Sequence, residues 1–364
     1  MKVKLGDVIQ LNPSEKLPKG GIARKVAMDN LDPYAREISG FDFDEYKGGT
    51  KFRNEDTLLA RITPCLENGK TAYVDILEKD EVAFGSTEYF VLRAKKELIS
   101  PLYLYYLSVS SNFRTVAIKS MTGTSGRQRV QREAILNYEF DLPSLEEQEK
   151  IASRIGYLDD KKTLNDKIND NLFELAKEIY QNTVKSSILT KTALKDIATI
   201  TMGQSPSSKT YNEEGLGTEL LNGATDFRNG IHPSKWTTDP KRLVQEGDYI
   251  FGVRATIGLT KKVFKKYAIG RGTGSATVKD PVNDEFLYFV LEDMFNYFSN
   301  SGSGSVYINI SKSDFNDYTF HMPQASDLES FHKIVGPIMK KIYDNKQENL
   351  VLVQIKETLL NRFF

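Results

Sequence analysis

Apolar residues recur along this chain with two different rhythms. Short runs such as DTLLARI (56–62), EYFVLRA (88–94), DYIFGVR (248–254) and SATVKD (275–280) lie between turns rich in Gly, Asn and Asp, and predict strands. PLYLYYLSVSSNF (101–113) and DEFLYFVLEDMFNYF (284–298) predict helices. Two longer stretches follow a 4-3 alternation instead. The first begins in LPSLEEQEKIASRI (142–155), where Ser144 and Glu147 form the signature of a capping box. Its apolar positions are Ile151, Ile155, Leu158, Leu172 and Ile179. Adding 180 gives Phe331, Val335, Ile338, Leu352 and Leu359, the same alternation in a second helix. Asn165 and Asn169 interrupt the first seam, and Asn345 and Asn349 interrupt the second at the same offset. A buried asparagine sets register because its amide needs a partner. The two helices are therefore predicted to pair antiparallel, with the asparagines meeting near the middle.

The rest of the chain repeats in the same order. VKLGDVIQL near the start has a counterpart in TALKDIATI at an offset of 189. EDTLLARIT (55–63) pairs with EGDYIFGVR (246–254), and PLYLYYL (101–107) with EFLYFVL (285–291). GRQRVQREAILNYEFDLP, ending at Pro143, matches SVYINISKSDFNDYTFHMP, ending at Pro323. Two homologous halves follow, each a mixed α/β globule closed by a long helix. The predicted fold is α+β, with bounds at 1–142 and 191–322 for the globules and 143–190 and 323–364 for the helices.

Composition narrows the setting. With 40% apolar and 27% charged residues, the chain is ordinary for a water-soluble protein. It carries no long apolar run and no leader-like start, so no membrane partner is expected and the cytoplasm is the expected compartment. The single cysteine, Cys65, excludes an internal disulfide. Net charge is zero, yet its distribution is uneven. No acidic residue lies between Glu97 and Glu133, a window holding Arg114, Lys119, Arg127, Arg129 and Arg132. A second such window, between Asp248 and Asp280, holds Arg254, Lys261, Lys262, Lys265, Lys266, Arg271 and Lys279. Two basic faces in a neutral chain suit a local polyanion site in each half.

At this point the residues acquire a likeness. LPSLEEQEKIASRIGYLDD resembles the segment that closes a target recognition domain and opens the central helix in specificity subunits of type I restriction-modification enzymes. DTLLARITPCLENGKTAYV (56–74), GSTEYFVLR (85–93) and GTSGRQRVQREAILNYEFDLP (123–143) are similar to further stretches of that family. The likeness spans the chain. It departs in MPQASDLESFHKIV (322–335), which lacks the Glu-Gln pair and offers Ser326 with Glu329 as its capping box. The resemblance implies that each globule reads half of a split, double-stranded DNA target and that the antiparallel helices set the unread gap. It also implies a non-catalytic subunit that docks two methyltransferase subunits, with restriction subunits joining the complex. A helix of about 40 residues spans roughly 60 Å, or at most about 17 base pairs, so a ruler of this size is dimensionally sensible.

Base readout needs forked side chains on an adaptable loop, and phosphate contacts need cations. In TGTSGRQRVQR, Arg127 and Arg129 suit guanine or phosphate. Gln128 and Gln131 suit adenine, and Thr124 and Ser125 suit the DNA backbone. The strand-like alternation places Arg127 with Arg129 and Gln128 with Val130. In the second half the candidates are Arg254, Lys261, Lys262, Arg271, Tyr307 and Asn309. Gly270, Gly272 and Gly274 lack the Gly-Lys-Ser/Thr ending of a phosphate loop, so a DNA-approaching loop or a plain turn fits better. Trp236 suits a core or rim position.

Chemistry has little to work with. His232, His321 and His332 lack metal-ligand spacing, and Cys65 has no nucleophile signature. The Asn-Pro-Pro-aromatic motif of adenine methyltransferases is absent. No catalytic residue, metal or cofactor is expected. The competing function is a coiled-coil scaffold that binds proteins and reads no DNA; the basic windows and the Gly-Ser loops favour DNA.

Overall fold

The computed structural model describes residues 1–228, 230–254, 257–301 and 310–364. They form two compact units. The first comprises 1–166 and 346–364, the second 167–345. Both long helices, Leu145–Ser186 and Ala325–Phe363, cross that division.

In the first unit, strand Lys2–Lys4 pairs antiparallel with Glu139–Asp141 and so fastens the start of the globule to its end. One antiparallel sheet runs in the order Ile9–Leu11, Tyr89–Ala94, Thr57–Ala60, Thr71–Tyr73. A second sheet is mixed, in the order Asp42–Glu45, Ile22–Val26, Ala83–Gly85, Thr50–Phe52, with its two inner strands parallel. The central strands bury both faces, which is why they read as continuous apolar runs. Val26, Phe52, Leu58 and Val91 share one apolar core. A larger core joins Leu59, Phe90 and Tyr103 to Ile151 and Ile155 of the first long helix and Leu360 of the second.

The second unit repeats this plan. Leu189–Ala193 pairs with Thr319–Pro323. The antiparallel sheet runs Ala198–Met202, Thr273–Val278, Tyr249–Val253, Ile257–Lys262, and the mixed sheet again holds one parallel pair, Thr218–Leu221 beside Tyr267–Ile269. The predicted duplication is present, and the mixed sheet of the second unit adds one edge strand, Tyr211–Asn212. One proposed alignment slips by a residue, because Asp56 corresponds to Asp248. Each caps its own turn, Asp56 accepting from the amide of Arg53 at 2.8 Å and Asp248 from that of Gln245 at 2.7 Å.

That register places Glu55 opposite Gly247, both with positive φ, at 73° and 93°. A side chain pays for this conformation and glycine does not. Glu55→Gly is therefore expected to be neutral to about 1 kcal/mol stabilising despite losing the ion pair with Lys96, as read from the urea midpoint. A loss above that size would show that the pair outweighs the backbone.

The predicted helix at 101–113 is two helices, Pro101–Val109 and Ser111–Lys119, because Ser110 is extended (φ −64°, ψ 151°) and its hydroxyl accepts from the Phe113 amide. The seam of the long helices follows the 4-3 alternation. Within the first unit Asn165 donates to Asn349 Oδ1 at 2.9 Å, and within the second Asn345 donates to Asn169 Oδ1 at 2.9 Å. All four amides are buried. Inside each unit the pairing is antiparallel, and each asparagine of one helix meets one of the other. At the first helix start, Ser144 accepts from the Glu147 amide at 3.3 Å, as expected of the cap. The second helix departs from expectation. It starts at Ala325, so Ser326 lies inside the first turn, and the Gln324 carbonyl accepts from Asp327 and Leu328.

Candidate nucleic-acid interface

In the first unit three connections converge at one edge of the sheets. The connection 46–49 is pressed onto Gly85. A Cβ at Gly49 (φ 110°) would lie 2.1 Å from the Gly85 carbonyl oxygen, and Thr50 Oγ1 donates to the Ser86 carbonyl at 2.8 Å. The connection 86–88 is joined to the third by the Arg61 amide, which donates to the Glu88 carbonyl at 3.0 Å. The third is a pinned loop. Thr122 and Arg129 exchange two backbone bonds, the Thr63 amide donates to the Gln128 carbonyl, and the Val130 amide donates to that of Arg61.

The predicted alternation holds in this loop: Val130 is buried and Gln128 half-buried, while Arg127 and Arg129 are exposed. Thr124, Ser125, Lys119 and Arg132 are exposed as well, and Lys119, Arg127 and Arg132 have no ion pair among the described residues. Gln131 spends its amide on Thr122 Oγ1 and the Arg129 carbonyl. Arg129 is half-exposed and forks onto Glu88, with Nη2 to Oε1 at 2.7 Å and Nε to Oε2 at 3.0 Å. Arg129 holds the Glu88 carboxyl below the usual carboxylate range, with burial opposing it. The pair therefore adds stability above the ordinary glutamate pKa and loses it as pH falls through the lowered value. Arg114 departs from expectation. Its guanidinium donates to the carbonyls of Leu66 and Glu67 and lies 4.9 Å from the Tyr34 ring centroid, so it holds the 62–69 loop from inside.

The second unit repeats two of these connections among its described residues. The Val253 amide donates to the Gly272 carbonyl at 3.1 Å, matching Arg61 and Glu88, and the Ile269 amide donates to that of Arg242. Arg271 is exposed at the position of Thr87; Arg254 is exposed and Lys261 half-buried. Lys262 departs from expectation, since its ammonium is taken by Asp284 and faces the Tyr249 ring at 5.4 Å. Tyr307 and Asn309, the positions of Arg127 and Arg129 at the offset of 180, lie outside the described residues. The glycines at 270 and 272 lie in a turn, closed by the Thr273 amide donating to the Gly270 carbonyl at 3.0 Å. A Cβ on Gly270 would meet Asn222 Oδ1 at 2.1 Å, and one on Gly272 the Asn222 carbonyl oxygen at 2.5 Å, so they admit the neighbouring strand. Trp236 is half-buried on a strand, at the rim.

Sequence reasoning missed Lys47, Arg61, Thr87, Lys241 and Arg242, which the fold brings to the same edges. Lys47 is exposed but salt-bridged to Glu45, and Lys241 to Asp239. Only the structural equivalence of the halves reveals them, because their spacing in sequence differs. Among the described residues no group of three or more His, Cys, Asp or Glu stands ready for a metal ion. No helix among them is long and apolar enough to cross a membrane.

Comparison with known proteins places the chain in a family. Residues 1–173 and 189–355 each match the family described as "Type I restriction modification DNA specificity domain". Over 332 residues, 84% of this chain and 76% of the other, the sequence is 26% identical to a Methanocaldococcus jannaschii protein that carries the name type I restriction enzyme MjaX specificity subunit. A shorter match, 39% identical over 115 residues, covers 32% of this chain and 19% of the type I restriction enzyme EcoAI specificity subunit of Escherichia coli. The solved S subunit of a type I restriction-modification system from M. genitalium shares the fold, with a TM-score of 0.62 at 15% identity over 100% of this chain and 96% of that one.

Proposed function

This chain belongs to the type I restriction modification DNA specificity family, a non-catalytic subunit for DNA target recognition, and from that premise we propose that each of its two globules reads one half of a bipartite double-stranded target. Residues 1–142 are the first target recognition domain and 191–322 the second. The observation that carries the reading is the repeated edge. Among the described residues, two equivalent connections meet in each unit, and the edges carry exposed cations: Lys47 in one, with Arg127 and Arg129 beside it, and Arg254, Arg271, Lys241 and Arg242 in the other. Convergent loops with cations and hydroxyls suit phosphate positioning around a few base contacts. Differing side chains on equivalent loops suit two different half-sites.

The long helices set the unread gap and dock two methyltransferase subunits, with restriction subunits completing the complex. Exposed Tyr157, Leu164, Leu350, Val351, Val353 and Ile355 on the helical segments of the first unit support docking, since such apolar side chains mark partner surfaces.

The test is to co-express the chain with a methyltransferase subunit and map modified adenines across a genome. Replacing residues 1–142 with those of a relative is expected to change one half of the target and leave the other. A heptad added to both helices is expected to lengthen the gap only. Modification without sequence preference, or a swap that alters both halves, would overturn the reading.

A further inference from the structure

Resting on that reading, we infer that Glu88 is a positioning residue that presents Arg129 as a guanine-reading fork in the first half-site. The fork is built in three layers. The Arg129 backbone is fixed by its two bonds to Thr122, and its neighbours Gln128 and Val130 are bonded to Thr63 and Arg61. The Glu88 backbone is fixed by the Arg61 amide, which donates to its carbonyl, and by its own amide, which donates to Ser86 Oγ at 3.1 Å. The carboxylate then takes the Nε–Nη2 edge of the guanidinium. Bonds on that edge fix the plane of the group as well as its place. They leave the outer edge, with Nη1 and the second hydrogen of Nη2, without a partner among the described residues. That edge presents two parallel donors, the match for guanine O6 and N7 in the major groove.

A phosphate contact would not need this orientation. A cation that serves phosphate gains little from being held in one plane, whereas a bidentate base contact gains the ordering entropy already spent. The charge is also favourable. Arg61 Nε approaches the same carboxylate at 3.3 Å, so two cations share one anion and the cluster stays net positive toward DNA. The Arg61 guanidinium lies 5.2 Å from the Phe90 ring centroid, which holds it in place. The second unit has Gly272 where the first has Glu88, so this buttress belongs to one half-site alone.

The experiment uses the chain assembled with its methyltransferase subunit, after its target has been mapped. Duplexes carrying 7-deazaguanine at each guanine in turn are titrated against the wild-type complex. One guanine, in the half-site assigned to residues 1–142, is expected to lose about 10–100-fold in affinity. Arg129→Ala should remove that sensitivity and relax the mapped target at the same base pair, leaving the gap and the other half unchanged. Glu88→Gln should weaken discrimination at that base pair without changing affinity for targets mismatched there, an effect that simple loss of fold would not give. Uniform loss across all sequences would make Arg129 a phosphate contact and overturn the inference. So would insensitivity to every 7-deazaguanine, which needs no variant to fold. Absence of any bipartite target in the wild-type map would instead be a failure of the proposed function.

Discussion

Replacing Lys356 with methionine is expected to destabilise the first unit by about 3–5 kcal/mol. The measurement is urea unfolding followed by a probe in that unit. The ammonium donates to both oxygens of Asp159, at 2.6 and 2.9 Å, and the Tyr106 hydroxyl donates to Oδ2 at 2.8 Å. Both charged side chains are nearly buried, at 12% and 8% exposure, so removing one strands the other away from water. The Tyr106 phenol is pushed well above its ordinary pKa by burial and by Asp159, so it remains a donor throughout the useful pH range. The second unit shows what the position looks like without charge. At the offset of 180, Asp159 and Lys356 correspond to Met339 and Ala176, which pack in an apolar core. The double variant Asp159→Met, Lys356→Ala is thus expected to recover more than half of the loss. A double variant as unstable as the single one would refute the charge-burial account.

Gln148→Leu is expected to cost about 2–4 kcal/mol, with a matching loss of hydrogen-exchange protection at the Ser100 amide. Gln148 is fully buried. Its Oε1 accepts from the Ser100 amide at 2.8 Å, and its Nε2 donates to the carbonyls of Leu98 and Pro143 at 3.1 and 3.0 Å. The side chain thereby clips the start of helix Pro101–Val109 to the start of the long helix. Leucine would leave an amide and two carbonyls without partners while adding only apolar contact. The second unit accepts Leu328 at the equivalent position, buried in its core. If Gln148→Leu proved neutral, water or relaxation would have to satisfy those groups.

The Glu-Gln pair was legible in the sequence as a helix start, but its division of labour was not. Glu147 stays exposed and Gln148 turns inward, because the partner it serves lies about fifty residues upstream. The long helices, the asparagine pairing and the order of repeated strands were all readable, since each depends on local periodicity or on comparison at a fixed offset. Which cations face outward was not. Arg114 and Lys262 sit in the same one-signed windows as Arg127 and Lys261, yet the first pair is taken by backbone carbonyls and by Asp284. Charge windows count residues along the chain, whereas availability depends on groups brought in from elsewhere, as Glu88 is to Arg129.

The discontinuity of the first unit has a consequence for the order of synthesis. A ribosome completes 167–345, all of the second unit, before it makes 346–364, which the first unit needs for Lys356, Leu360 and the Phe364 ring packed 4.8 Å from that of Tyr103. The half that is translated first is therefore finished last. Bringing residues 166 and 346 together across so long a loop would cost entropy. The second unit removes that cost as it folds, because its own Asn169–Asn345 bond already draws the ends of its segment together. Folding of the later half thus templates completion of the earlier one, and a released chain truncated after residue 345 should hold a finished second unit and an unfinished first.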